Sequence, residues 1–240
     1  MDNHIDDPLV KYYNVDIQQI KDYDFFMSDV DMIFHLAAIP RIQPSIKYPE
    51  LVLKNNILST LNILEYARKN EIKVIFASSS SVSGGIEKNP YTASKGACED
   101  LCRMYANVYG MNISIARFYN VYGPRMITSC EFGTVLGVWQ RRYKEGKPLK
   151  ITGDGTQRRD FTHVEDIIDG LMSSVYQDDK GHLYELGRGE NYSMNEIADM
   201  FGDVERIYVD RPEGEMEHTL CEVQSIPLKR NVRDFIESVK

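Results

Sequence analysis

Ile72-Lys73-Val74-Ile75-Phe76-Ala77-Ser78-Ser79-Ser80-Ser81 runs without a break from β-forming residues into a cluster of hydroxyls. An apolar run of this kind marks a strand buried on both faces, the habit of parallel sheets. In open parallel sheets ligands gather beyond the carboxyl ends of the strands, which is where these serines fall. Gly84-Gly85 and Asn89-Pro90 bracket a short loop, and Tyr91-Thr92-Ala93-Ser94-Lys95 follows. A helix is expected from Tyr91 to about Val108, ended by Gly110 at a C-cap position. Lys95 then lies one turn beyond Tyr91 on the same face. An ammonium held against a phenol favours the phenolate, so Tyr91 is expected to titrate closer to neutral pH than a free tyrosine. A hydroxyl from the neighbouring strand end would complete a proton-transfer group for oxidising a sugar alcohol. Alone, Tyr-x-x-x-Lys is a common pair on helix surfaces, and its weight depends on the rest of the chain.

Upstream, residues 10–16 (VKYYNVD) read as a strand and residues 18–27 as a short helix. Residues 31–38 (DMIFHLAA) form a near-continuous apolar run, expected to be a second strand buried on both faces and stopped by Ile39-Pro40. Between residues 48 and 70, Leu53, Ile57, Leu61 and Leu64 recur at helical spacing, with Val52, Leu58, Ile63 and Ala67 widening the stripe. Residues 113–118 are a further strand. Alternating strands and helices imply right-handed crossovers and a doubly wound α/β sheet. Ala37-Ala38, the serines and Tyr119-Asn120 all reach the same edge of that sheet. Beyond residue 125 the pattern changes. Helices are expected at 133–144 and 163–176, with shorter pieces at 149–151, 182–186, 193–201, 207–209 and 232–239. Ser193 with Glu196 is a capping-box signal. The expected class is therefore α/β, a truncated Rossmann-like doubly wound parallel sheet over residues 1–125. A small α+β substrate lobe, with interleaved sheet elements, is expected over residues 126–240.

The 240 residues suffice for one large domain or a domain with a small lobe, and a 42% apolar and 27% charged composition is ordinary for a globular chain. A net charge of −8 argues against nucleic-acid binding. No apolar run reaches membrane-spanning length and the first residues do not read as a signal peptide, so a cytoplasmic location is expected. The four cysteines lack metal-ligand spacing, so no metal is expected, and Cys98 and Cys102 read as buried small hydrophobes on one helix face. His35 reads as a hydrogen-bonded core histidine, Trp139 as a packing residue, and His4 with Asp6 and Asp7 as a solvated start.

Several stretches together carry a resemblance. Phe34-His35-Leu36-Ala37-Ala38, Asn56-Ile57-x-x-Thr60, Ser78 to Val82, Tyr91-x-x-x-Lys95, Arg117-Phe118-Tyr119-Asn120-Val121-Tyr122-Gly123-Pro124-Arg125 and Gly153-Asp154-Gly155-Thr156-Gln157-Arg158-Arg159-Asp160-Phe161 occur in this order. They resemble the extended short-chain dehydrogenase/reductases, and within them the NDP-sugar epimerase/dehydratase family, most nearly its UDP-glucose and UDP-N-acetylglucosamine 4-epimerases. The resemblance implies that Tyr91 is the acid/base at the sugar 4-hydroxyl, that Lys95 binds the nicotinamide ribose and tunes Tyr91, and that Ser79 bonds the same hydroxyl. It further implies that NAD is lined by Asp16, Ile17, Leu36, Ala37, Ala38, Asn56 and Phe118. Asn120, Arg159 and Arg211 would hold the substrate diphosphate, which suits guanidinium forks, and Glu222 the nucleoside ribose. Thr219 falls beside the sugar. Ser79-Ser80-Ser81 stands where dehydratases resemble Thr-Asp-Glu, which counts against loss of the 6-hydroxyl. Dimerisation through helices 48–70 and 91–108 is implied as well.

The departures from the family are equally specific. The chain has no Gly-x-x-Gly-x-x-Gly loop, the segment from Gly84 to Tyr91 is short, Ser83 replaces an expected tyrosine, and the region after Glu222 is abbreviated. Without the glycine loop, the backbone cradle that anchors a dinucleotide's phosphates is missing. Either residues 10–15 are expected to move in beside residues 33–36, or another chain is expected to cover that sheet edge. An isolated, exposed first segment excludes both arrangements. The leading expectation is an NAD-dependent UDP-sugar 4-epimerase, with removal and return of hydride at sugar C4. The alternatives are a catalytically inactive nucleotide-sugar-binding or structural homologue, and a fragment whose first unit comes from elsewhere.

Overall fold

A computed structural model describes residues 7–19, 29–129 and 132–240. Four parallel strands in the order β1-β2-β3-β6 make the main sheet: β1 (Met32–His35), β2 (Lys73–Ser79), β3 (Ile113–Phe118) and β6 (Lys180–Leu186). The crossovers carry α1 (Ile42–Lys47), α2 (Pro49–Lys69) and α3 (Pro90–Tyr109) on one face. Residues of β2 alternate between a core under α2 and α3, which includes Val74, Phe76, Leu64 and Cys102, and a core on the other face, where Ile75 meets Ile167, Leu171 and Leu186. That second face is covered by α5 (Val164–Ser174). The chain's second half thus supplies both a strand and a covering helix to the sheet. The remaining elements are α4 (Val135–Lys144), β4 (Leu149–Thr152), β5 (Arg158–Asp160), β7 (Asn191–Ser193), α6 (Met194–Met200), β8 (Arg206–Val209) and α7 (Val232–Val239). β4 pairs in parallel with β8, and β5 pairs antiparallel with β7. They enclose a separate core that contains Trp139, Tyr122, Ile197 and Val232. The α/β parallel-sheet reading is correct, and the Ser193/Glu196 capping box is present at the start of α6.

Three expectations near the amino end are overturned. Residues 10–16 form no strand, and Val10, Tyr12, Tyr13 and Val15 are exposed. They do not pair with β1, so the first of the two arrangements framed above is not found. The helix expected over 18–27 lies mostly outside the described residues. β1 itself is not buried on both faces: Ile33 and His35 point inward, whereas Phe34 and Leu36 are 39% and 52% exposed. Among the described residues no strand pairs with its outer edge, so half of its apolar surface has nothing to bury against.

On α2 the inward face is also turned relative to the leucine stripe. Val52, Asn56, Thr60, Ile63 and Ala67 are buried, while Leu58 is 43% exposed. Two polar residues displace the leucines because they have work to do beneath the sheet edge. Asn56 accepts from Ile39 N (2.8 Å) and donates to Ser94 Oγ (2.9 Å), which holds the turn after β1 against α3. Thr60 donates to Asn56 O, so its oxygen receives the proton of His35 Nε2 at 3.0 Å. His35 is thus a hydrogen-bonded core histidine, as its apolar strand suggested.

Candidate active site

The site lies at the carboxyl ends of β1, β2 and β3. β2 ends at Ser79, and Ser80–Gly84 turns as a short 3-10 segment whose first bond runs from Ser81 N to Ser79 Oγ. A Cβ at Gly84 would come within 1.7 Å of Met216 Cε, so the Met216 side chain packs directly over this turn. Helix α3 begins at Pro90, capped by the Asn89 side chain accepting from Thr92 N at 2.9 Å. Its C-cap is Gly110 in the left-handed region, φ 68°. Tyr91 occupies its first turn, half-buried, and its phenol is hydrogen-bonded to Ser79. Lys95, one turn on and buried, sends Nζ to Ala77 O at 2.8 Å and sits 4.9 Å over the Phe76 ring. The serine, tyrosine and lysine are therefore brought together.

Their electrostatics differ from the expectation. Burial pushes the Tyr91 phenol up, and the Ser79 bond and the charge of Arg41 only partly offset this. Burial pushes Lys95 down to about 8. The cation that acts on the phenol is Arg41, which no motif singled out. Arg41 lies in the turn between β1 and α1 with φ 82° and ψ 144°, a region that costs an L-residue roughly 1–3 kcal/mol. Its Nε donates to Phe132 O at 3.2 Å. Burial lowers its pKa, against the pull of Tyr91 and Glu215. The sequence signal was an arginine at the carboxyl end of an apolar strand, immediately after Ile39-Pro40.

Beneath the serines lies a buried ionic network. Arg117 on β3 donates Nε and Nη2 to the two carboxylate oxygens of Glu99 (2.7 and 2.8 Å), and Nη1 to Glu185 (2.9 Å) and Ser83 Oγ (3.1 Å). Ser78 Oγ also donates to Glu99, at 2.6 Å. Burial alone would raise Glu99, but Arg117, Ser78 and Arg103 outweigh it and hold the carboxyl below its usual range. Glu99 is 1% exposed, so this bidentate pair ties α3 to β2 and β3 just below the reacting groups.

The substrate-side residues gather on the lobe. Asn120, at φ 29°, donates to Asp160 O (2.8 Å) and Thr219 Oγ1 (3.0 Å), so its amide and the Thr219 hydroxyl brace β5. Arg159 Nη2 is 3.4 Å from Glu215, and Arg211 pairs with Glu217 and donates to Met216 O at 3.1 Å. The acidic segment 213–217 is also fastened across the site, by Gln43 Nε2 to Glu213 O (2.9 Å) and Asn89 Nδ2 to Gly214 O (3.2 Å). Glu222 is exposed, next to buried Cys221. Among the described residues, no group of three or more His, Cys, Asp or Glu side chains is placed to hold a metal, and no helix is long and apolar enough to cross a membrane.

A dinucleotide needs a cradle for its pyrophosphate and anchors for its nicotinamide ribose. Of the residues expected at the second, Tyr91 bonds Ser79 and the buried Lys95 Nζ bonds Ala77 O, while Ala37 and Ala38 lie on the turn after β1. The cradle is not found among the described residues: α1 opens on Arg41, and α2 on Tyr48 and Pro49 without a side-chain cap. Of the other residues expected to line NAD, Asp16 accepts from Gln18 N and Gln19 Nε2 in a turn. Ile17 packs beside α2, where its carbonyl accepts from Asn62. Leu36 is exposed, Asn56 is engaged in the bonds above, and Phe118 packs in the second-face core.

The profile of the NAD dependent epimerase/dehydratase family matches residues 2–187. A Methanocaldococcus jannaschii protein described as a candidate UDP-glucose 4-epimerase is 30% identical over 266 residues, covering 97% of this chain and 85% of its own length. A UDP-glucuronate 4-epimerase of Thermodesulfobacterium geofontis is 34% identical over 211 residues; the match takes in 79% of this chain but only 62% of that protein. The crystal structure of a UDP-glucuronic acid 4-epimerase from Bacillus cereus, in complex with UDP-glucuronic acid and NAD, superposes with a TM-score of 0.83 at 29% identity. That superposition covers 93% of this chain and 78% of the other.

Proposed function

The chain belongs to the NAD dependent epimerase/dehydratase family, and on that premise we propose that it is a nucleotide-sugar 4-epimerase acting on a UDP-hexose or UDP-N-acetylhexosamine. The observation that carries this reading is the hydrogen-bonded Ser79–Tyr91 pair at the carboxyl edge of a parallel sheet, with Lys95 behind it and Arg41 beside it. Tyr91 takes the proton of the sugar 4-hydroxyl and gives it back, while Ser79 holds that hydroxyl in line. Arg41 and the Ser79 bond oppose the burial that raises the phenol's pKa, and so favour the charged form that accepts the proton. NAD, when bound, would supply a hydride acceptor and donor for sugar C4. Arg159 and Arg211 receive the diphosphate, which replaces the carboxylates of Glu215 and Glu217 as their partner. Dimerisation through α2 and α3 is supported by the exposed apolar residues Leu51 and Leu58 on the first and Met104 and Val108 on the second.

One observation favours a second reading, a nucleotide-sugar-binding protein without turnover: the described residues hold no pyrophosphate cradle. The two are separated by incubating the protein with NAD and UDP-glucose or UDP-N-acetylglucosamine and following the 4-epimer by proton NMR. Epimer should accumulate, and Tyr91→Phe should slow it about 10²- to 10⁴-fold without shifting the melting temperature by more than a few degrees. Sugar binding with no epimer would leave the second reading in place.

A further inference from the structure

Helix α3 meets strand β2 through three side chains set four residues apart, Tyr91, Lys95 and Glu99, which places them on one side of the helix. The Tyr91 phenol bonds Ser79, Lys95 Nζ donates to Ala77 O at 2.8 Å, and Glu99 accepts from Ser78 Oγ at 2.6 Å. Consecutive turns of α3 thus grip the consecutive residues Ala77 to Ser79 at the end of β2. The grip is anchored at Glu99, which is 1% exposed. Its carboxylate also takes the Arg117 fork, at 2.7 and 2.8 Å, and Arg117 Nη1 reaches Ser83 Oγ at 3.1 Å. One buried ion pair therefore holds Ser78 and Ser83, at the two ends of the turn that Ser79 opens. The same guanidinium donates to Glu185 at 2.9 Å, and Glu185 accepts at 2.7 Å from the phenol of Tyr119, the residue before Asn120.

We infer that Glu99, paired with Arg117, is a positioning residue: it sets the register of α3 against β2 and so fixes where the Ser79 hydroxyl stands against the Tyr91 phenol. The inference rests on the 4-epimerase reading above, since turnover at sugar C4 is what that geometry serves. A bond between two neutral hydroxyls is weaker than a charge-assisted one, so the register is set at Glu99 and inherited at Tyr91. Misplacing a reacting group by about 1 Å costs on the order of 10²-fold in rate. Arg159 on β5 and Arg211 after β8, proposed above to receive the diphosphate, stand apart from this ion pair. Loosening Glu99 therefore lowers turnover and leaves affinity for the nucleotide sugar in place.

The test uses the full chain and three variants. Ser78→Ala cuts the link to the serine turn and leaves the ion pair, Glu99→Gln removes the charge, and Ser79→Ala is the reference for a lost Tyr91 bond. The first measurement is the Tyr91 resonance in protein carrying carbon-13 at tyrosine Cζ, assigned by its disappearance in Tyr91→Phe; it needs neither substrate nor cofactor. The second is kcat and KM for 4-epimerisation of UDP-glucose and UDP-N-acetylglucosamine in the presence of NAD. Ser78→Ala should displace the Tyr91 resonance in the same direction as Ser79→Ala. It should also lower kcat about 10- to 100-fold while KM stays within about twofold. Folded Glu99→Gln should show both effects more strongly. A resonance left in place in Ser78→Ala, or a kcat that holds whatever KM does, overturns the inference and leaves the 4-epimerase reading standing. Wild-type protein that binds these sugars and turns over neither overturns that reading, and the inference with it.

Discussion

His35 Nε2 donates to Thr60 beneath the site, and burial, with a smaller push from Lys95, lowers the ring's pKa to about 4. Below pH 6.5 the unfolded chain takes up a proton that the folded chain refuses. Stability from this group is therefore complete above pH 6.5 and is lost as pH falls toward 4, by on the order of 3 kcal/mol in all. Urea unfolding between pH 4 and 7 should show this slope, and His35→Gln should flatten it by about one proton; an unchanged slope would refute the assignment. Lys95 behaves alike at the other end: pushed down to about 8, it makes stability rise with pH between about 8 and 10.5. Tyr91, Lys95 and Ser79 were legible as a group because their spacing fixes a shared helix face and a strand end. The sign of the Tyr91 shift was not legible. Spacing shows that Lys95 is near, but not that it turns to Ala77 O, nor that burial outweighs charge.

Helix α3 shows how an element's ends join distant parts of the chain. Asn89 caps it through Thr92 N and also reaches Gly214 O, 125 residues away. Asn89→Ala should cost about 1 kcal/mol for the cap, which lowers the melting temperature by roughly 2–4 °C for a chain of this size. Asn89→Asp keeps the capping oxygen and loses only the Gly214 donor, so it should lose less; a wild-type melt for Asn89→Ala would contradict the cap. Gly110 was readable as the helix end, whereas Asn89-Pro90 read only as the boundary of a loop and its capping role emerges from the structure. The tie to residues 213–217 was not readable, and neither was the bond from Gln43 across 170 residues, because nothing local encodes contacts of that range. The stripe on α2 misled for a related reason: Asn56 and Thr60 face inward since the turn after β1 and His35 need partners there.

At the scale of the molecule, the sheet order β1-β2-β3-β6 leaves β1 at an edge, with Phe34 and Leu36 exposed. Alternation of strands and helices made the parallel sheet legible, and buried β2 is what its composition announced. The fate of residues 10–16 was not legible, since β-propensity becomes a strand only beside a partner. The central claim concerns chemistry at sugar C4, carried out by Ser79, Tyr91 and Lys95. It is tested most directly with UDP-glucose and UDP-glucuronate deuterated at C4, incubated with the protein and NAD, and read by NMR and mass spectrometry. Removal and return of hydride within the site predicts a 4-epimer that keeps its deuterium at C4. Deuterium lost to water, or sugar recovered without any epimer, would contradict it.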